Sequence, residues 1–101
     1  MAILAIFTGN NVTKQMYESL LKEVGWERNQ PPGSIFHAAA FDNSGNIRVA
    51  DVWESEEDLN KFVKEKLMPA MQKLNVPVPQ TEVFQIHNVN AFPSIEKYRI
   101  K

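Results

Sequence analysis

The stretch that most constrains this chain is Ser34-Ile-Phe-His-Ala-Ala-Ala-Phe41, followed by Asp42-Asn-Ser-Gly-Asn46 and Ile47-Arg-Val-Ala-Asp-Val-Trp-Glu54. Two apolar runs with a period of two flank a cluster of turn residues, the pattern of a β-hairpin. If residues 42–46 form the loop, Phe41 faces Ile47, and each step outward keeps the two residue numbers at the same sum. His37 then lies across from Asp51, each the one ionisable residue that its strand carries on that face of the pair. A loop one residue longer or shorter would separate them to opposite faces.

The rest of the chain supplies scaffold for that hairpin. Ala2-Ile-Leu-Ala-Ile-Phe7 is apolar without alternation, which marks a strand covered on both faces and therefore central in its sheet. Thr13 can cap a helix running to about Val24. Met16, Tyr17, Leu20, Leu21 and Val24 fall on one stripe of it, and Gly25 suits the stop. Pro31-Pro-Gly33 forces extended backbone ahead of the hairpin. Ser55-Glu-Glu-Asp58 is a strong helix start, with a capping serine and three acids at the positive end of the dipole.

That second helix, residues 55–74, lays Leu59, Phe62, Val63, Leu67, Ala70, Met71 and Leu74 on one side. Pro69 removes the hydrogen bond to the Glu65 carbonyl, so a kink or break is expected there. A last strand is expected at about 82–88. In the tail, 89–101, Tyr98 and Ile100 alternate with Lys97, Arg99 and Lys101, a weak pattern for an edge strand.

The order β-α-β-β-α-β is the ferredoxin-like arrangement, α+β, with one four-stranded antiparallel sheet and both helices on one face. The whole chain, 1–101, reads as one such domain, with its core in about 2–88. The central strand is apolar on both sides, so its open side needs cover. A thirteen-residue tail is too short to cover four strands, and a homodimer packed sheet to sheet is expected. At this length a domain buries roughly 60–65% of its unfolded surface, which adds to the case for a partner.

Composition narrows the functional classes. A net charge of −1 gives no basic face for nucleic acid or an anionic membrane. The absence of cysteine removes disulfides, thiolate metal sites and cysteine nucleophiles, and suits the cytoplasm. The apolar start has no basic flank and is cut at strand length, so neither a targeting segment nor a membrane helix is expected. There is no phosphate loop, dinucleotide fingerprint or nucleophile elbow.

The pattern Gly33-x-x-x-His37, Arg48-Val-x-Asp-Val-Trp-Glu-Ser55, Phe62, Lys66-Leu-x-Pro-Ala70 and His87-Asn88 resembles a family of small bacterial proteins in the dimeric α+β barrel superfamily. That superfamily also holds the antibiotic-biosynthesis monooxygenases. The resemblance covers the chain through Asn88 and is not specific for any reaction. It implies cofactor-free quinone-forming monooxygenases, haem-degrading enzymes, isomerases, dehalogenating enzymes and stress-induced proteins as relatives. Haem-degrading relatives ligate iron through a helical histidine, and residues 55–74 contain none.

The candidate site is His37 with Asp51. A carboxylate on one ring nitrogen fixes the tautomer and raises the basicity of the other, which can then remove a substrate proton. The competing reading is a structural clip between layers. Trp53, Arg48, His87 and Gln85 are secondary candidates for substrate binding. Arg48 is a candidate for an anionic group, or a partner for Glu54. Trp26, Phe62 and Phe84 could join Trp53 in an aromatic wall for a small aromatic or quinone-like ligand. Neither a metal nor a bound cofactor is expected, because the two histidines and Asp51 come from separate strands without a local ligand motif.

Overall fold

A computed structural model describes residues 1–100. Four strands, β1 (Ile3–Gly9), β2 (Ser34–Phe41), β3 (Ile47–Trp53) and β4 (Gln80–Gln85), form one antiparallel sheet in the order β2-β3-β1-β4. This is the ferredoxin-like α+β fold expected from the order of elements. β1 is central, flanked by β3 and β4, and Ala5 has no exposed surface.

Helix α1 (Lys14–Val24) is capped at its start by Thr13, whose hydroxyl accepts from the Met16 N–H, and stopped by Gly25 in the left-handed conformation. The second helical segment runs as α2 (Glu56–Phe62), a π-helical turn (Val63–Leu67) and α3 (Met68–Leu74). Ser55 caps α2 by accepting from the Asp58 N–H, and its own hydroxyl donates to the Asp58 carboxylate. The expected break at Pro69 takes a milder form. Pro69 falls in the first turn of α3, directly after the widened π turn, in which the Met68 N–H reaches back to the Val63 carbonyl. A wider turn is one way to absorb a proline ring that the regular helix would reject.

The helices lie on the face of the sheet that carries Ile3, Ala5 and Phe7. Leu59 joins those three and Trp53 in one buried cluster. Tyr17, Leu20 and Leu21 of α1 join Ala70, Met71 and Ile47 in another. The opposite face carries Leu4 and Ile6 of β1, Ala50 of β3, Ala38 of β2 and Phe84 of β4, placed together by the register. Phe84 is 50% exposed.

Three local expectations need correction. The last strand ends at Gln85, so His87 lies outside it, although the Ile86 N–H still donates to the Ala2 carbonyl. The tail forms a 3-10 helix, Pro93–Tyr98, instead of an edge strand; Pro93 at its first turn fixes a φ that suits helical entry. Arg48 pairs with Asp42, 2.9 Å away across the hairpin loop, and not with Glu54. Asp42 accepts from both the Ser44 and the Asn46 N–H, so its carboxylate is already held where Arg48 can reach it. Among the described residues, no helix is long and apolar enough to cross a membrane.

Candidate functional site

The hairpin register brings His37 opposite Asp51. The same pairing holds from Phe41–Ile47 outward to Phe36–Val52, and only then does a β-bulge shift it, so that Ser34 meets Trp53. The extra residue, Ile35, breaks the simple alternation that grouped it with His37.

Gly33 sits just before the bulge with φ +85°, and a side chain there would meet Asp58 at 2.5 Å. Its carbonyl accepts from the Glu54 N–H at 2.7 Å. The loop can therefore press against the start of α2 only because this residue is glycine.

Around His37 the polar groups form a continuous chain. Nδ1 lies 2.6 Å from Asp51 Oδ1, and Nε2 lies 2.6 Å from the hydroxyl of Tyr17 on α1. Trp53 Nε1 donates to Asp51 Oδ2 over 3.3 Å. Asp51 is the one buried charged residue among those described, at 8% exposure, whereas the His37 side chain is 30% exposed. An ionised carboxylate only accepts, so the neutral imidazole of His37 carries its proton on Nδ1 and presents the Nε2 lone pair to Tyr17. Burial, aided by the charges of Asp51, Glu18 and Glu27, holds the Tyr17 phenol well above its ordinary range, so it stays protonated.

This chain lines a cavity of about 550 Å³ between the sheet and the helices, reached by Tyr17, Trp26, His37, Asp51, Trp53 and Phe62. That volume lies within the range of small-molecule sites. Aromatic rings make much of the wall. Tyr17 and His37 are nearly parallel at 6.2 Å, Trp26 stands 5.5 Å from His37, and Phe62 lies 5.3 Å from Trp53. Trp26 Nε1 is buried without an acceptor among the described residues. The rim is polar, with Glu27, Arg28 and Gln30 from the connection before β2 and Arg99 from the tail.

His37, Asp51, Trp53, Trp26 and Phe62 thus come together. Arg48, His87, Gln85 and Phe84 do not line the cavity. Arg48 and Phe84 belong to the opposite face of the sheet, and Gln85 ends the edge strand. Among the described residues, no three His, Cys, Asp or Glu side chains gather in a way that could hold a metal ion.

Tyr17 is the residue that sequence reasoning left in the core. The available signal was its hydroxyl, which on a buried stripe must find a partner. Arg99 was likewise assigned only to the tail.

No family model and no curated protein matches this chain. Solved structures do. A protein from Chloroflexus aurantiacus J-10-fl that carries an antibiotic biosynthesis monooxygenase designation matches with a TM-score of 0.65 at 13% identity, over 90% of this chain and 98% of its own. A conserved protein from Methanosarcina mazei Go1 matches at 0.64 and 13%, over 84% and 92%. SnoaB from Streptomyces nogalater, a cofactor-independent oxygenase, matches at 0.58 and 15%, over 87% and 93%. The structural neighbours thus include proteins of the antibiotic biosynthesis monooxygenase type. At these identities the likeness establishes the fold.

Proposed function

We propose that the chain is a small-molecule enzyme of the monooxygenase-like kind. In this reading the cavity takes a small aromatic or quinone-forming ligand, and the His37–Asp51 pair removes its proton. The observation that carries the reading is a hydrogen-bonded, carboxylate-oriented histidine on the wall of a cavity of ligand size. A structural clip needs no such cavity beside it. Likeness to a cofactor-independent oxygenase adds support at the level of fold.

The chemistry this site can perform starts with deprotonation. Loss of a proton from an electron-rich aromatic ligand gives an anion that can pass one electron to dioxygen. The two radicals join through a carbon–oxygen bond, the peroxide anion takes back the proton held on His37, and the resulting hydroperoxide loses water to leave a carbonyl. One oxygen atom stays on carbon and the other leaves as water, so no external reductant is consumed. The protein supplies a base, which contributes about 10²–10⁴-fold, and a wall that holds the ring flat.

In the same reading the protein is a homodimer, with the exposed apolar face of the sheet covered by a second copy. The test of the activity is oxygen uptake with a panel of hydroquinones and fused-ring phenols, for the wild type and His37→Ala. Uptake should fall at least about 100-fold in the variant. Equal rates for the two proteins on an oxidised substrate would remove the base assignment.

A further inference from the structure

We infer that the cavity selects ligands presenting a hydrogen-bond donor, a phenolic hydroxyl on a flat ring, and that Tyr17 receives that proton and passes its own to His37. The inference rests on the reading of the cavity as a ligand site and goes beyond it by fixing the polarity of the ligand and naming the residue that meets it.

The polarity follows from Asp51 outward. The carboxylate accepts, so His37 Nδ1 donates, and Nε2 is left with a lone pair alone. The group 2.6 Å from that lone pair must therefore be a donor, and it is the Tyr17 hydroxyl. A hydroxyl has a single proton, and here it is committed to His37. The phenol oxygen keeps only acceptor capacity toward the cavity, so the group that meets it has to be a donor. A carbonyl or an ether oxygen in that place would face a lone pair.

The walls restrict the donor further. Trp26, Trp53 and Phe62 present aromatic surface around the chain of hydrogen bonds, against which a flat ring can stack. Proton transfer along this route balances without a further reactant. The ligand O–H bond breaks toward the Tyr17 oxygen, and the Tyr17 O–H bond breaks toward His37 Nε2. The products are a ligand phenolate, an intact tyrosine and an imidazolium paired with Asp51.

Naphthol and its methyl ether test this on the full-length protein, since they share a ring and differ in the donor, and naphthol absorbance distinguishes the neutral from the ionised form. The wild type should bind naphthol about tenfold tighter than the ether, the fold-change that one hydrogen bond carries. Bound naphthol should also be more ionised than in buffer at the same pH. Tyr17→Phe should cut the preference to about twofold or less, because the His37 Nε2 lone pair it bares lies 2.6 Å behind the lost oxygen and is out of reach of a ring seated as in the wild type. Equal binding of the two compounds by the wild type, or an undiminished preference in Tyr17→Phe, would overturn the assignment and leave the cavity reading standing. Failure of both compounds to bind the wild type at millimolar concentration would instead overturn the cavity reading, and the inference with it. Where Tyr17→Phe does not fold, His37→Phe serves, because removing the acceptor frees the Tyr17 proton to turn toward the ligand. The naphthol preference should then shrink or reverse, and its persistence would count against the relay.

Discussion

Trp53 Nε1 donates to Asp51 Oδ2 over 3.3 Å, so the carboxylate that faces His37 is held through its other oxygen as well. The two residues lie two apart on β3 and share the helix-facing side of the sheet. With both oxygens engaged, rotation of the carboxylate would break one bond or the other. The orientation of the carboxylate, and through it of the His37 ring, is thereby held by an indole that is only 2% exposed.

Trp53→Phe should therefore act through Asp51. Loss of the indole N–H and part of the ring should cost about 1–3 kcal/mol, read by urea denaturation. Turnover should fall about tenfold through kcat, beyond any rise in KM from the smaller ring in the cavity wall, because His37 loses orientation. An unchanged kcat on an oxidised substrate would show that the second oxygen of Asp51 needs no anchor.

Substitution of Asp51 separates charge from shape. Asp51→Ala leaves His37 Nδ1 and Trp53 Nε1 facing no acceptor and should destabilise by about 2–4 kcal/mol. Asp51→Asn retains one acceptor oxygen, but its amide N–H₂ opposes a donor on the other side. It should therefore recover less than half of the loss, about 1 kcal/mol or so. Full recovery by asparagine would mean that the pair does not depend on two accepted hydrogen bonds. Urea denaturation of the three proteins decides.

Gly33 and Gly45 offer an internal control for the loop that abuts α2. Both have positive φ, +85° and +80°, but a side chain at Gly45 meets nothing within 4 Å, whereas one at Gly33 meets Asp58 at 2.5 Å. Gly45→Ala should cost about 1 kcal/mol from backbone strain alone. Gly33→Ala should cost at least about 1 kcal/mol more, since it also pushes Asp58 away from Ser55 and loosens the helix cap. Equal losses would place no weight on the contact with Asp58.

What the sequence made legible depended on local rules with a fixed count. The hairpin register followed from the five residues between Phe41 and Ile47, and the capping residues Thr13, Gly25 and Ser55 announced their helix ends by chemistry. Tyr17 was hidden because periodicity assigns a helical aromatic to the core without asking what its hydroxyl meets. Its partner is 20 residues away on another element. The bulge at Ile35 was hidden for a similar reason, since an inserted residue leaves no mark on an alternating apolar run. At Pro69 the sequence marked a disturbance, while its form, a π turn ahead of the proline, is one of several ways a helix can absorb the ring and carries no residue signal of its own.

Acid should weaken the hairpin loop through Asp42. The N–H of Asn46, with further help from Ser44, Arg48 and Gly45, holds its carboxyl below the usual carboxylate range. A folded pKa below the unfolded one gives stability that is present above the unfolded value and lost as pH falls through the folded value. Asp42→Asn abolishes that titration. The stability gap between wild type and variant should be constant near neutral pH and close as the solution is acidified through the carboxylate range. Parallel curves across that range would show that the charge of Asp42 does nothing for the loop.

The open face of the sheet tests the proposed homodimer. Ile6 stands at the middle of β1, paired with Ala50 and Glu82 on either side, and shares its face with Leu4, Ala38 and Phe84. Two copies packed through this face would bury both Ile6 side chains, and a carboxylate in their place would lose water with Glu82 of the edge strand, a like charge, beside it. Wild type should sediment as a dimer at micromolar concentration, and Ile6→Glu as a monomer, because the new carboxylate adds to Glu82 on the same face. The variant should keep its helical signal and the cavity on the far side, since Ile6 points away from both. A wild type that sediments as a monomer would remove the sheet-to-sheet dimer. A dimer that tolerates Ile6→Glu would move the interface to another surface.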